Sequence, residues 1–272
     1  MGRTPNEPDP STGPLALFAA EHRRYRKLAG ITQADLAADL NYTTQFIGMV
    51  EVAARTPNRG YAERADEILD AGGGLINCWL LVSAMHIPKW FGPFIKVEAE
   101  ATAMHAWECM MIPGLLQTAE YARALARAAR PHALDEQVER EVEIRMQRRE
   151  LLTRPAPPLL WAVIDENALR RVAGGQEAMR TQYLELLEMA ELPNVVIQVL
   201  PFDAGVHAGH EGAFEILERD DAEELVWLDS HDDGRFIDRS DQVAEYKRRY
   251  DHLKATALSP AASRRLIASL LE

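Results

Sequence analysis

The chain's 272 residues suffice for one large or two modest domains with real cores, and an apolar share of 47% fits a globular protein. No run approaches the roughly 18 apolar residues of a membrane span, and the polar, proline-rich start does not read as a signal peptide, so no membrane association and a cytoplasmic location are expected. The formal charge is −12; residues 1–78 hold 8 Lys and Arg against 10 Asp and Glu, so neither part is broadly basic and any affinity for nucleic acid must rest on a local, salt-sensitive patch.

In chain order, residues 1–14 are polar and rich in Pro, which predicts a disordered tail. A helix is expected from about Leu15 to Ala29, with Phe18, His22, Tyr25 and Ala29 on one face and the charged Arg23, Arg24, Arg26 and Lys27 upon it. The stretch GITQADLAADLNYTTQFIGMVE, from Gly30 to Glu51, then reads as two short helices joined by a tight turn. Thr32 suits an N-cap, with Gln33 and Asp35 in the first turn. Leu36, Ala37 and Leu40 mark one apolar face, and Asn41 falls where the chain must turn, a residue that tolerates the left-handed region. Thr43 is a second cap, opening a helix with Ile47 and Val50 inward and Thr44, Gln45, Gly48 and Met49 outward. This is helix-turn-helix spacing. Helices over 61–71 and 75–84 complete five in a domain spanning 15–85.

A break at 86–95 reads as a linker, after which the domain over 96–272 changes character. Ile95 to Thr102 is expected as a turn or two of helix and Ala106 to Ile112 as an extended run. Pro113-Gly114 makes a turn, Thr118 caps a helix from Glu120 to Arg130, and a highly charged helix covers about Leu134 to Leu152. Apolar strands are predicted at 159–164, 195–200, 213–217, 224–228 and 235–237, and helices at 176–192, 241–257 and 260–271, the last with Ser259 as cap and Pro260 at its first position. The expected fold class is α+β: an all-α five-helix N-terminal domain, then a mixed domain with a small, mostly antiparallel sheet and several helices.

The Gly30-Ile31-Thr32-Gln33 entry, Leu36-Ala37, Ile47 and the Val50-Glu51 ending resemble the Xre-type bacterial DNA-binding regulators. Pro113–Ala122, WAVIDENAL (161–169), VVIQVLPF (195–202) and LKATALSP (253–260) look like the C-terminal domain that accompanies such regulators, whose members are described as antitoxin-like, of the Scr type, and encoded beside a small partner protein. The resemblance covers nearly all of the chain from Leu15. It implies a transcription regulator that binds double-stranded DNA as a homodimer and takes a small neighbour-encoded protein through its C-terminal domain. It also implies that Arg26 pairs with Glu51 as a structural tie. DNA contacts are then expected from Gln33, Thr43, Thr44, Gln45 and Met49, and from Arg55, Asn58 and Arg59 in the following loop. Family members often carry Arg near the positions of Thr44 and Met49, and this chain has neither; Phe46 is bulkier than the residue expected there.

Leu115, Leu116 and Tyr121 read either as ordinary core or as part of a groove for a small ligand or partner protein, with Gln117 as its polar anchor. Trp79, Trp90, Phe91 and Trp107 are candidates for lining the same surface, which would also suit a ligand-sensing regulator. A metal-dependent enzyme is the remaining alternative, on Asp203, His207, His210, His231, Asp232 and Asp233. His207-Ala208-Gly209-His210 falls in a Gly-rich loop, however, with no Glu placed as a general base. No nucleophile elbow, phosphate loop or dinucleotide fingerprint is present, so no enzyme, cofactor or metal is expected. Cys78 and Cys109, without ligand spacing, read as buried reduced thiols.

Overall fold

The computed structural model describes residues 8–84, 87–88, 90–220, 223–230 and 233–272. The chain divides into two compact units, residues 1–87 and 88–272. Of the segment expected to be a disordered tail, residues 1–7 lie outside the described residues. The rest is ordered: a 3-10 turn at Pro10–Thr12 is capped by Asp9, and α1 (Pro14–Leu28) begins at once.

The first unit continues with α2 (Gln33–Leu40), α3 (Thr44–Glu51), α4 (Arg59–Ile68) and α5 (Gly74–Ala84). Each start follows from local chemistry. Thr32 and Asp35 form a reciprocal capping box on α2, Thr43 Oγ1 accepts from the Phe46 N–H at 3.1 Å, and Asn58 Oδ1 accepts from the Tyr61 N–H at 2.8 Å. Asn41 turns the chain between α2 and α3 at φ 60°, ψ 45°. Phe18, Leu36, Leu40, Ile47, Val50 and Leu75 are fully buried and form the core. Asp66 secures the entry to α5, accepting from the N–H groups of Gly73 (2.7 Å) and Leu75 (2.8 Å).

The second unit is an α+β layered structure. Its helix α6 (Gly92–Glu100) starts inside the segment expected to be a linker, of which His86 and Lys89 lie outside the described residues. β1 (Ala101–Glu108), α7 (Ala119–Ala129), α8 (Asp135–Arg149), β2 (Leu159–Asp165), α9 (Glu166–Arg170), α10 (Gln176–Met189) and β3 (Val195–Leu200) follow. A meander of β4 (Phe214–Arg219), β5 (Glu224–Asp229) and β6 (Gly234–Ile237) leads to α11 (Ser240–Thr256) and α12 (Pro260–Ser269).

The strands form one six-stranded sheet in the order β3-β2-β1-β4-β5-β6. This corrects the expectation of a small, mostly antiparallel sheet. β1, β2 and β3 run parallel, and only the β1–β4, β4–β5 and β5–β6 pairings are antiparallel. The reason is that α7–α8 and α9–α10 are long crossovers, which return the chain to start each strand in the same direction. β1 also begins earlier than the expected extended run, because its Ala-rich sequence ATAMHAWE carries little local strand preference.

Both faces of the sheet are covered, which is why LLWAVID and VVIQVL read as near-continuous apolar runs. Met104, Ala106, Leu160, Ile197 and Leu217 pack with Tyr121, Met179 and Leu186 on one side. Trp107, Val163, Phe214 and Ile216 pack with Val243, Tyr250 and Leu253 of α11 on the other. The β3 edge is closed by the LKATALSP segment: the Leu258 N–H donates to Val199 O at 2.9 Å and Gln198 Nε2 donates to Leu258 O at 2.8 Å.

Candidate functional sites

The outer face of α3 is the first candidate. Beneath the helix, Glu51 is buried and bound from three sides. Arg26 Nη2 donates to Glu51 Oε2 at 2.8 Å, Gln33 Nε2 donates to the same oxygen at 2.8 Å, and His22 Nδ1 lies 3.5 Å from Oε1. Burial acts to raise the Glu51 carboxyl, and these donors overcome it and hold its pKa at about 2. Arg26 Nη1 also donates to Ile31 O at 2.9 Å, so one guanidinium ties α1 to both ends of the α2–α3 pair.

Above this anchor, Thr43, Thr44 and Gln45 are exposed and Met49 is half-buried. The Thr44 and Gln45 side chains make no hydrogen bond among the described residues. Three other candidates are committed within the unit: Thr43 caps α3, Asn58 caps α4, and Arg59 pairs with Glu63 at 2.7 Å. The Gln33 amide nitrogen is engaged by Glu51. Arg55 is half-buried in the loop after α3. Phe46 is accommodated by stacking on Tyr42, with ring centroids 4.6 Å apart, and by an edge contact with Tyr61 at 5.4 Å.

The second candidate lies in residues 88–272, at the carboxyl end of β1, where the chain order reverses between β1 and β4. Alternation along the strands places Glu108 (β1), Glu215 (β4) and Asp229 (β5) on the same sheet face, with the Ala106–Glu215 and Glu215–Trp227 pairings fixing their register. Glu98 of α6 and Arg145 and Arg148 of α8 close over them around a cavity of about 90 Å³, room for several waters or a small ligand. Arg148 grips Glu98 through two hydrogen bonds of 2.7 Å, and its guanidinium stacks 5.0 Å from Phe91 and 5.4 Å from Phe94. Arg145 Nη1 donates to Gln117 Oε1 at 2.8 Å, and Gln117 Nε2 donates to Ile112 O at 2.6 Å. The Tyr121 hydroxyl accepts from the Ile112 N–H at 3.2 Å.

All four singled-out residues of the Pro113–Tyr121 motif are buried: Leu115, Leu116 and Tyr121 belong to the hydrophobic core, and Leu115 and Gln117 also border the cavity. Gly114 lies against Arg148, and a Cβ there would meet its Nη1 at 3.4 Å.

The charges in this cavity are not balanced. Arg148 and Glu98 satisfy each other, leaving Arg145 against Glu108, Glu215 and Asp229. Burial, reinforced by neighbouring carboxylates, raises Glu108 and Glu215 to about 8, and burial raises Asp229 as well. Burial and the nearby Arg148 lower Arg145 to about 10. Glu108 and Glu215 are half-buried, whereas Asp229, which also borders the cavity, is exposed.

The aromatic candidates occupy different places. Trp79 is buried in the first unit, its indole N–H donating to Pro57 O at 3.0 Å. Trp107 is buried on the α11 side of the sheet and donates to Gly209 O at 3.0 Å. Trp90 and Phe91 pack on Trp227, 6.3 and 6.4 Å between centroids. The loop histidines serve local structure. His207 Nε2 lies 3.5 Å from Asp165 Oδ2, and its Nδ1 accepts from the Gly209 N–H at 3.2 Å. His231 and Asp232 lie outside the described residues, and among the described residues no group of three or more His, Cys, Asp or Glu is arranged to hold a metal.

The cavity charges escaped the sequence reading, because the run on α8 looks like a solvated helix face. One signal was available: Glu215 interrupts the apolar run Phe214 to Leu217, and in a strand covered on both faces such a charge must point inward.

The structure thus defines an α+β protein, a helical unit joined to a layered six-stranded unit that contains a charged cavity. Residues 91–269 match the family described as "Domain of unknown function (DUF5753)", and the chain belongs to that family. No curated protein and no solved structure matches it.

Proposed function

We propose that the chain is an antitoxin-like transcription regulator of the Xre helix-turn-helix type, which sets α3 into the DNA major groove. The observation that carries this reading is the contrast between the two sides of α3. Ile47, Val50 and Glu51 are locked into the core, while Thr44 and Gln45 stand exposed at the helix N-terminus, the end from which recognition helices reach base edges. Gln45 suits a bidentate contact to adenine, Thr44 a phosphate or thymine methyl, and Arg55 the DNA backbone. A single unit reads few base pairs, so the regulator acts as a homodimer on two half-sites. Docking of a small neighbour-encoded protein on residues 88–272 belongs to the same proposal and rests on the sequence resemblance. The test is a gel shift on the DNA upstream of the protein's own gene, with and without the neighbouring protein. Salt-sensitive binding that the neighbour modulates supports the reading, and no binding at low salt by folded protein contradicts it.

The cavity in residues 88–272 favours a second reading of that unit's role, the sensing of a small molecule. Polar and aromatic groups converge on it from α6, β1, α8, β4 and β5, as in ligand sites. A small molecule that occupies the cavity and shifts operator affinity would support this reading; occupancy without a shift would contradict it.

A further inference from the structure

We infer that β6 is the contact with a second copy of this chain. The two β6 strands pair antiparallel, with Phe236 facing its counterpart, and join two six-stranded sheets into one of twelve. The inference gives the homodimer of the proposed regulator its contact surface and rests on that reading for its biological role only.

The two ends of the sheet are finished differently. The β3 end is closed by Leu258, whose N–H donates to Val199 O at 2.9 Å and whose carbonyl accepts from Gln198 Nε2 at 2.8 Å. At the other end β6 is the outermost strand. Gly234–Ile237 holds no proline, and its register with β5 runs unbroken from the Val226–Ile237 pair to the Asp229–Gly234 pair. It therefore has neither the proline nor the bulge that commonly blunts an edge strand.

The hairpin fixes where the backbone groups of β6 point. The Ser230 N–H donates to Asp233 O at 2.9 Å, which makes 230 and 233 a hydrogen-bonded pair. Alternation along the antiparallel ladder then bonds Leu228 to Arg235 and Val226 to Ile237. It turns the N–H and C=O of Gly234 and Phe236 away from β5. The Gly234 N–H agrees with that direction, since the Asp233 carboxylate takes it at 2.8 Å instead. The Phe236 N–H and C=O have no partner among the described residues.

Side chains decide what pairs there. Phe94, Trp227 and Phe236 form an aromatic row, 4.9 and 4.8 Å between successive centroids, that stops at half-buried Phe236 on the outermost strand. A second β6 centred on Phe236 continues the row with a cross-strand aromatic pair. The same register sets Asp233 opposite the partner's Arg239, and symmetry repeats the contact. Arg239 is still extended, at φ −67° and ψ 120°, so the ladder reaches it. Moving the centre to Arg235 would bring two arginines face to face. Moving it to Ile237 would oppose Arg235 to Arg239 and Phe236 to Asp238. Of these three registers only the one centred on Phe236 is complementary in charge. The strand is thus complementary to itself, which commits the edge to a second copy rather than to an unrelated extended peptide.

The test follows the full chain by sedimentation velocity over a wide range of concentration, together with amide hydrogen exchange. The expected result is a concentration-dependent dimer, with exchange slowed over residues 234–239 as it forms. Phe236→Asp is expected to raise the dissociation constant at least about tenfold. Phe236 also packs on Trp227, so circular dichroism checks that this variant folds. The exposed charges avoid that difficulty. Asp233→Arg and Arg239→Asp are each expected to weaken the dimer about two- to fivefold at low salt, and the combined variant to recover it. A monomer at every concentration, an unchanged dimer in folded Phe236→Asp, no recovery in the combined variant, or protection on another surface would each overturn the inference. So would protection of β6 that appears only when the neighbour-encoded protein is added. The readout is separate from DNA binding: a β6 dimer supports the interface whether or not it shifts operator DNA, and a gel shift by a monomer contradicts the interface alone.

Discussion

Arg26 and Glu51 stand 25 residues apart and meet through two guanidinium nitrogens, one of them 2.8 Å from Oε2, beneath the helix proposed to read DNA. Glu51 is 1% exposed, so removing Arg26 would leave an ionised carboxylate buried with only Gln33 and His22 beside it. Arg26→Ala is expected to cost about 3–5 kcal/mol, measured as the midpoint of urea unfolding followed for the first unit. The pH dependence has a definite sign. Glu51 is depressed to about 2 in the folded state, so its contribution is complete above the unfolded value near 4.5 and is lost as pH falls from there toward 2. Glu51→Gln should flatten that acid limb; an acid limb identical to wild type would contradict the assignment.

The cavity carboxylates have the opposite sign. Glu108 and Glu215 are raised to about 8, so the folded state keeps protons that the unfolded chain gives up near 4.5. Stability of residues 88–272 should decline as pH rises from about 4.5 to 8 and change little above that. Glu108→Gln is expected to raise the melting temperature at pH 8 by several degrees while changing it little at pH 4.5. An equal shift at both pH values would count against a raised carboxyl.

Gln117 offers a test of the cavity's framework. Its amide bridges Ile112 O and Arg145 with no exposure to solvent. Gln117→Leu keeps the volume but orphans a carbonyl and a guanidinium donor, a loss of roughly 2–4 kcal/mol in denaturant unfolding. A loss under about 0.5 kcal/mol would mean that water replaces both contacts.

The contrast between the two sites explains what the sequence could disclose. In the first unit, caps and apolar spacing are local, and Thr32, Asn41, Thr43, Ile47 and Val50 mark their own positions. Nothing local pairs Arg26 with Glu51; only the family likeness suggested it. In the second unit the apolar runs of β2 and β3 were legible, but Ala-rich β1 was placed late. The sheet's parallel half depends on crossovers, which no strand records in its own residues. The cavity was least legible of all, because Glu98 and Arg148 are 50 residues apart and come together only after β1 and α8 have packed. Gln117 was noticed as a polar anchor, but its partner Arg145 was hidden within an apparently solvated charged helix.

DNA recognition by α3 is tested most directly by comparing wild type with Gln45→Ala and Thr44→Ala on DNA upstream of the protein's own gene, by gel shift at two salt concentrations. Both side chains are exposed and without partners among the described residues, so circular dichroism and melting should be unchanged. The expected result is binding by wild type that weakens with salt, and a roughly 5- to 150-fold loss for Gln45→Ala, corresponding to about 1–3 kcal/mol for a lost base contact. Wild-type affinity in both folded variants, or no binding by wild type at low salt, would contradict the role given to α3.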